Sequence, residues 1–114
     1  QIFDLAGEHG LTIKMLNLSD TMAWATPLSL KRIVGAVRDK YPDQKLSLHL
    51  HDTRGMAVAL AYAGLEMGVS IYDACVGGLG GCPFAAHKGA AGNICTEEQG
   101  GPLKALREKV RAAA

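Results

Sequence analysis

The chain has 114 residues, room for one small domain with a modest core and too few for two. Hydrophobic residues make up 48% and charged residues 20%, an ordinary balance for a folded soluble chain that argues against disorder. The formal net charge is +1 and no basic run exceeds a pair such as Lys31-Arg32, so neither nucleic acid nor an anionic membrane is expected as a partner.

The first residues open on Gln1 and read as the middle of something longer, so the want of a leader carries no meaning. A first strand is predicted over Leu11–Leu18, entered after Gly10, which suits the end of a preceding helix. Thr26-Pro27 is a helix start, with a capping hydroxyl followed by proline at the first helical position. Leu30, Ile33, Val34 and Val37 then recur at helical spacing until Tyr41-Pro42 stops the run. Trp24 is expected to pack in the loop before this helix.

The second strand, Lys45–His51, alternates. Leu46, Leu48 and Leu50 point one way, toward a helical layer; Ser47, His49 and His51 point the other. A second helix is predicted over Gly55–Met67 with Gly68 as its C-terminal cap. The apolar stretch from Met56 to Val69 is broken by Glu66 and is too short to span a bilayer. A third strand, Ser70–Val76, leads into the glycine-rich Gly77–Gly81, and a last helix is expected from Pro102 to Ala113. Alternating β and α units of this length imply parallel strands joined by right-handed crossovers, an α/β architecture. Three strands cannot close an eight-stranded barrel; if the parent fold is a barrel, this is an arc of it.

His49-Leu50-His51-Asp52 carries the strongest chemical signal. Residues two apart on a strand share a face and stand roughly 6–7 Å apart along the chain, so two imidazoles can converge on one metal ion. A single strand histidine is usually structural; a same-face pair at a strand's end favours a metal or catalytic role. The glycines before Cys82-Pro83 could bring backbone close to a ligand, and the Cys82 thiol could act as an acid toward a bound carbanion. The competing reading is a surface loop with an incidental cysteine. Asn93, in Gly89-Ala-Ala-Gly-Asn93, is either a turn residue or an oxygen ligand for a hard cation. Asp20 ends the first strand, where a site role and a capping role compete. His87 and Lys88 read as solvated, with an anionic substrate the lesser option. Cys75 and Cys95 read as buried small hydrophobes. Three cysteines without a Cys-x-x-Cys pair argue against a disulfide scaffold or zinc finger and for a reducing compartment, so a cytoplasmic location is expected.

The blocks His49-Leu-His-Asp-Thr-Arg-Gly-Met, Gly-Gly-Leu-Gly-Gly-Cys82-Pro-Phe-Ala and Gly-Ala-Ala-Gly-Asn93-Ile-Cys-Thr-Glu97, in that order, resemble the hydroxymethylglutaryl-CoA lyase family over about Gly10 to Glu98. The resemblance implies the C-terminal part of a (β/α)8 TIM barrel, about three βα units supplying strands 6 to 8, within one partial catalytic domain over residues 1–114. Residues 99–114 depart from the family pattern, and Ala86-His87-Lys88 lengthen the loop before Asn93 relative to some members. The resemblance further implies a divalent cation, Mg2+ or Mn2+, held by His49, His51 and Asn93, with an aspartate from a first strand not in this chain. Cys82, Asp20 and His49 are the implied catalytic residues: Cys82 protonates the enolate, and Asp20 or His49 takes the hydroxyl proton. The implied substrate is an acyl-CoA, 3-hydroxy-3-methylglutaryl-CoA, cleaved to acetyl-CoA and acetoacetate, and the parent is expected to be a homo-oligomer. Two rivals stand beside this reading. A Claisen-type synthase of the isopropylmalate or homocitrate kind shares the histidine pair, but resembles His-x-His-Asn-Asp and lacks the cysteine loop. A truncated, non-catalytic product associating through open sheet edges is the other.

Overall fold

The computed structural model describes residues 1–80 and 91–97. Helix α1 (Ile2–Glu8) ends in a turn closed by Gly10, whose φ of +66° suits a residue without Cβ. Strand β1 (Leu16–Asp20), helix α2 (Pro27–Lys40), strand β2 (Leu46–Leu50), helix α3 (Ala57–Glu66) and the short strand β3 (Tyr72–Asp73) follow in order. The strands form one parallel sheet in the order β1-β2-β3, the alternating βα arrangement that the sequence predicts. Leu16 pairs with Leu46, Ser19 with His49, and His49 with Asp73.

Helix α2 starts where the sequence places it. The Thr26 hydroxyl accepts from the Ser29 N–H at 3.2 Å while Ser29 Oγ accepts from the Thr26 N–H at 2.8 Å. That reciprocal box satisfies two amides that a helix start leaves free. Leu30 and Val34 are buried and Val37 packs against the core, whereas Ile33 stays 51% exposed. Helix α3 is shorter than expected at its start and stops before Gly68, which takes φ +76° just beyond it. Asp52 Oδ1 accepts from the Ala57 N–H at 2.8 Å, tying the end of β2 to the start of α3.

The core lies between the sheet and these two helices. Leu46, Leu48 and Leu50 of β2 meet Leu30 and Val34 of α2 and Leu60, Ala61 and Leu65 of α3. The leucines therefore face the helical layer, as the alternation requires. All three strands are shorter than expected, β2 by one residue at each end and β1 and β3 by more. Pairing with β2 begins at the Leu16–Leu46 level, so residues 11–15 have no ladder partner among the described residues, and Leu11 and Met15 are exposed. After Asp73 the chain leaves β2 and pairs with residues 94–96 instead: Cys75 N–H donates to Ile94 O at 3.1 Å and Thr96 N–H to Cys75 O at 2.9 Å. Ile94 N–H in turn donates to Leu50 O at 3.0 Å, which seats this segment between the ends of β2 and β3. The helix expected from Pro102 lies outside the described residues.

Candidate active site

The C-terminal ends of the strands gather the polar residues. His49 and His51 project from the same face of β2 and its end, their ring centroids 4.9 Å apart and their planes at 90°. His51 is buried and His49 is partly exposed. Each ring has one nitrogen committed. His51 Nδ1 lies 3.0 Å from the backbone oxygen of Asp20, and His49 Nδ1 lies 3.1 Å from Asp73 Oδ2. A carbonyl or carboxylate oxygen can only accept, so both Nδ1 atoms carry a proton, and in the neutral ring Nε2 keeps the lone pair.

Asn93 enters from the segment that closes over the strand ends. It bridges to His51 in an antiparallel pair, with Asp52 N–H donating to Gly92 O at 2.8 Å. Gly92 permits the same segment to lie against residues 78–80, because a Cβ there would run into the backbone of Gly80 and stand 2.7 Å from Gly78 O. The Asn93 side-chain oxygen is buried and has no hydrogen-bond partner among the described residues. A buried amide oxygen without a donor is costly, and a cation would satisfy it. Two imidazole nitrogens and that oxygen form a donor set that fits a divalent cation of intermediate hardness. No cluster of three or more His, Cys, Asp or Glu side chains is found among the described residues, so the fit rests on the amide oxygen as the third donor.

Asp20 is placed differently from the histidines. Strand parity turns its side chain toward the face of Leu16 and Leu18, and its carboxylate accepts from the Trp24 N–H at 2.9 Å and the Ala25 N–H at 3.1 Å. It thus shapes the β1–α2 loop with its side chain and touches His51 with its main chain. Trp24, expected to pack in that loop, is instead 67% exposed, because no described element lies above it. The Arg54 guanidinium stands 5.8 Å from its ring and donates to Met22 O at 2.6 Å. Cys75 and Cys95 are half-buried, not fully enclosed; their thiols donate to Leu79 O and Glu97 Oε2. Cys82, His87 and Lys88 lie outside the described residues.

Two residues that the motifs did not single out complete the arrangement. Asp73 holds His49, and Asn17 Nδ2 donates to the same Asp73 oxygen at 3.0 Å. The trace they leave in the sequence is a polar residue on the face of β1 opposite its leucines and another at the end of β3.

The HMGL-like family matches residues 1–112. The chain belongs to that family. It is 42% identical over 90 residues to the human 3-hydroxy-3-methylglutaryl-CoA lyase, cytoplasmic, a stretch that is 79% of this chain and 24% of that relative. It is 41% identical over 86 residues to the hydroxymethylglutaryl-CoA lyase YngG of Bacillus subtilis, 75% of this chain and 28% of the relative. The chain thus spans about a quarter of the curated relatives it matches. Among solved structures, the Bacillus subtilis HMG-CoA lyase superposes with a TM-score of 0.77 at 32% identity, over 98% of this chain and 40% of that one. An HMG-CoA lyase from Acinetobacter baumannii, in complex with coenzyme A and 3-methylmalate, gives 0.65 at 40% identity, over 98% of this chain and 40% of that one. The HMGL-like chain is therefore an α/β piece of a lyase-type TIM barrel, its C-terminal strands in parallel order.

Proposed function

We propose that this chain supplies part of the active site of a carbon–carbon lyase that cleaves 3-hydroxy-3-methylglutaryl-CoA, or a related 3-hydroxyacyl-CoA, to acetyl-CoA and acetoacetate. The reading is supported by the His49 and His51 rings set edge to face at the end of β2, and by Asn93, bridged to His51, whose buried side-chain oxygen has no hydrogen-bond partner among the described residues. The coenzyme A seen in the Acinetobacter baumannii relative supports an acyl-CoA as substrate.

In this reading His49 and His51 use their Nε2 lone pairs, and Asn93 its side-chain oxygen, to hold Mg2+ or Mn2+. A cation held there would supply Lewis-acid polarisation of the substrate's tertiary hydroxyl. A His49 that ligates with its one free lone pair has none left for a proton. The base in this reading is Asp20, acting with its carboxylate turned out of the β1–α2 loop, since within that loop it accepts from two amides on the face away from the histidines. As the hydroxyl proton leaves, the bond between C2 and C3 breaks, C3 becomes the ketone of acetoacetate, and the electron pair passes to C2 as the thioester enolate. Cys82 gives its proton to C2 and completes acetyl-CoA. A cytoplasmic location belongs to the same proposal, as in the human relative of that name, although the chicken relative is mitochondrial.

Alone, the chain is expected to bind Mn2+ weakly and to turn over no substrate, since the family resemblance places a fourth ligand, an aspartate, on another strand. The test is a chimera in which residues 1–112 replace the matching stretch of the Bacillus subtilis lyase. Acetoacetate release that needs Mg2+ or Mn2+ and disappears in His51→Ala is the expected result. A folded chimera that binds Mn2+ and coenzyme A yet releases nothing would sink the proposal.

A further inference from the structure

We infer that Asp73 is a positioning residue that fixes the tautomer and aim of His49, and that Asn17, reaching across the central strand, holds Asp73 in place. The inference rests on the reading of His49 as a cation ligand, but its first consequence is visible without any cation.

The two histidines are oriented by different means. His51 is held by the backbone oxygen of Asp20, an acceptor that no substitution can delete. His49 depends on a side chain. Asp73 stands opposite His49 in the β2–β3 register, so both side chains rise from the same face of the sheet at the same level. Its Oδ2 is 3.1 Å from His49 Nδ1 and accepts the Asn17 amide at 3.0 Å. The Ser19 hydroxyl donates to Asn17 Oδ1 at 3.0 Å, which turns the amide so that its N–H2 faces the carboxylate. A chain of contacts thus runs from β1 to β3 over the face of β2. At the Asn17 level β2 carries Ser47, a small and fully buried side chain that leaves the passage open.

The chemical result is specific. Neutral imidazole in water favours the proton on Nε2, which would occupy the nitrogen needed for ligation. A carboxylate at Nδ1 reverses that preference, and such outer partners raise ligand basicity and fix the ring. Asp73 therefore prepares His49 before a cation arrives.

The test uses the 114-residue chain with 15N-labelled histidine and long-range 1H–15N spectra. In the unsubstituted chain His49 and His51 both show the proton on Nδ1. Asp73→Ala moves His49 toward the Nε2–H form and leaves His51 unchanged, a pattern that a general loss of structure cannot produce. Asn17→Leu, an exposed edge-strand change, shifts His49 part of the way and serves if Asp73→Ala does not fold. Paramagnetic broadening of the His49 and His51 rings by Mn2+ then needs roughly 10- to 100-fold more metal in Asp73→Ala. A folded Asp73→Ala chain whose His49 keeps Nδ1–H overturns the inference; so does an Asn17→Leu chain with an unmoved tautomer where that variant must decide. If Mn2+ broadens neither ring of the unsubstituted chain, the cation reading fails while the tautomer comparison still decides the role of Asp73.

Discussion

Glu97 joins two stretches that are far apart in sequence. The Gly77 N–H donates to both of its carboxylate oxygens at 3.1 Å, and the Cys95 thiol donates to one of them. These donors favour the charged form, the Cys95 thiol most and the backbone amides next, and hold the acid below the ordinary glutamate range. A carboxyl whose folded value is lowered adds stability at pH above its unfolded value and loses it as pH falls through the folded one. The Gly77 amide resonance is therefore expected to titrate with a midpoint below that of a free glutamate, and Glu97→Gln to abolish the step. A midpoint at or above the ordinary value would remove Glu97 from this role. Residue-level legibility follows the same division between local and non-local contacts. The histidine pair could be read because strand parity is a rule about neighbours in sequence. Asp73 could not, because its place opposite His49 depends on the register between two strands. Asp20 was readable as important; that its carboxylate caps Trp24 and Ala25 while its carbonyl meets His51 needed the loop's path.

Helix α3 shows how an element is fitted to its sheet. Gly64 sits where a Cβ would stand 2.5 Å from Leu48 Cδ1 and 2.7 Å from Tyr72 Oη. Tyr72 has little room to move aside, since its hydroxyl bonds Val69 O at 2.9 Å and Ala61 O at 3.0 Å. Alanine in a helix interior normally gains roughly 0.5–1 kcal/mol over glycine. Overpacking a filled core typically costs about 1–3 kcal/mol, and here that term is the larger. Gly64→Ala is expected to lower stability by about 1–2 kcal/mol, read as a reduced urea midpoint at unchanged slope. A raised midpoint would show that Leu48 can give way at no cost. Helix α2 was legible down to its cap because Thr26, Pro27 and Ser29 write the start locally. Strand β3 was overestimated because Cys75 pairs with Cys95 rather than with β2, a choice made by a segment some twenty residues away.

For the whole chain the question is what the free side of the sheet does. Strand β1 pairs only with β2 among the described residues, so its outer edge presents unused backbone donors and acceptors. A groove of about 440 Å³ wraps that edge, lined from one face by Asn17 and Ser19 and from the other by Leu18, Trp24 and Ile33. Trp24, Leu28 and Ile33 are each more than half exposed beside it. The alternation of strands and helices made the parallel order legible, but an open and a closed sheet share that alternation. Closure is a property of strand number, which no local pattern encodes. A closed barrel would cover this edge with another strand; among the described residues nothing covers the edge or its apolar rim. Both drive association, so the isolated chain is expected to show a weight-average mass that rises with concentration in sedimentation equilibrium. Because the contact is apolar, added salt should not reverse it. Ile33→Lys, which puts a charge in the rim without touching the histidine cluster, should return the chain toward monomer. A mass that stays monomeric up to about 100 μM, where the area argument would predict association, would mean that the edge is already covered from within the chain.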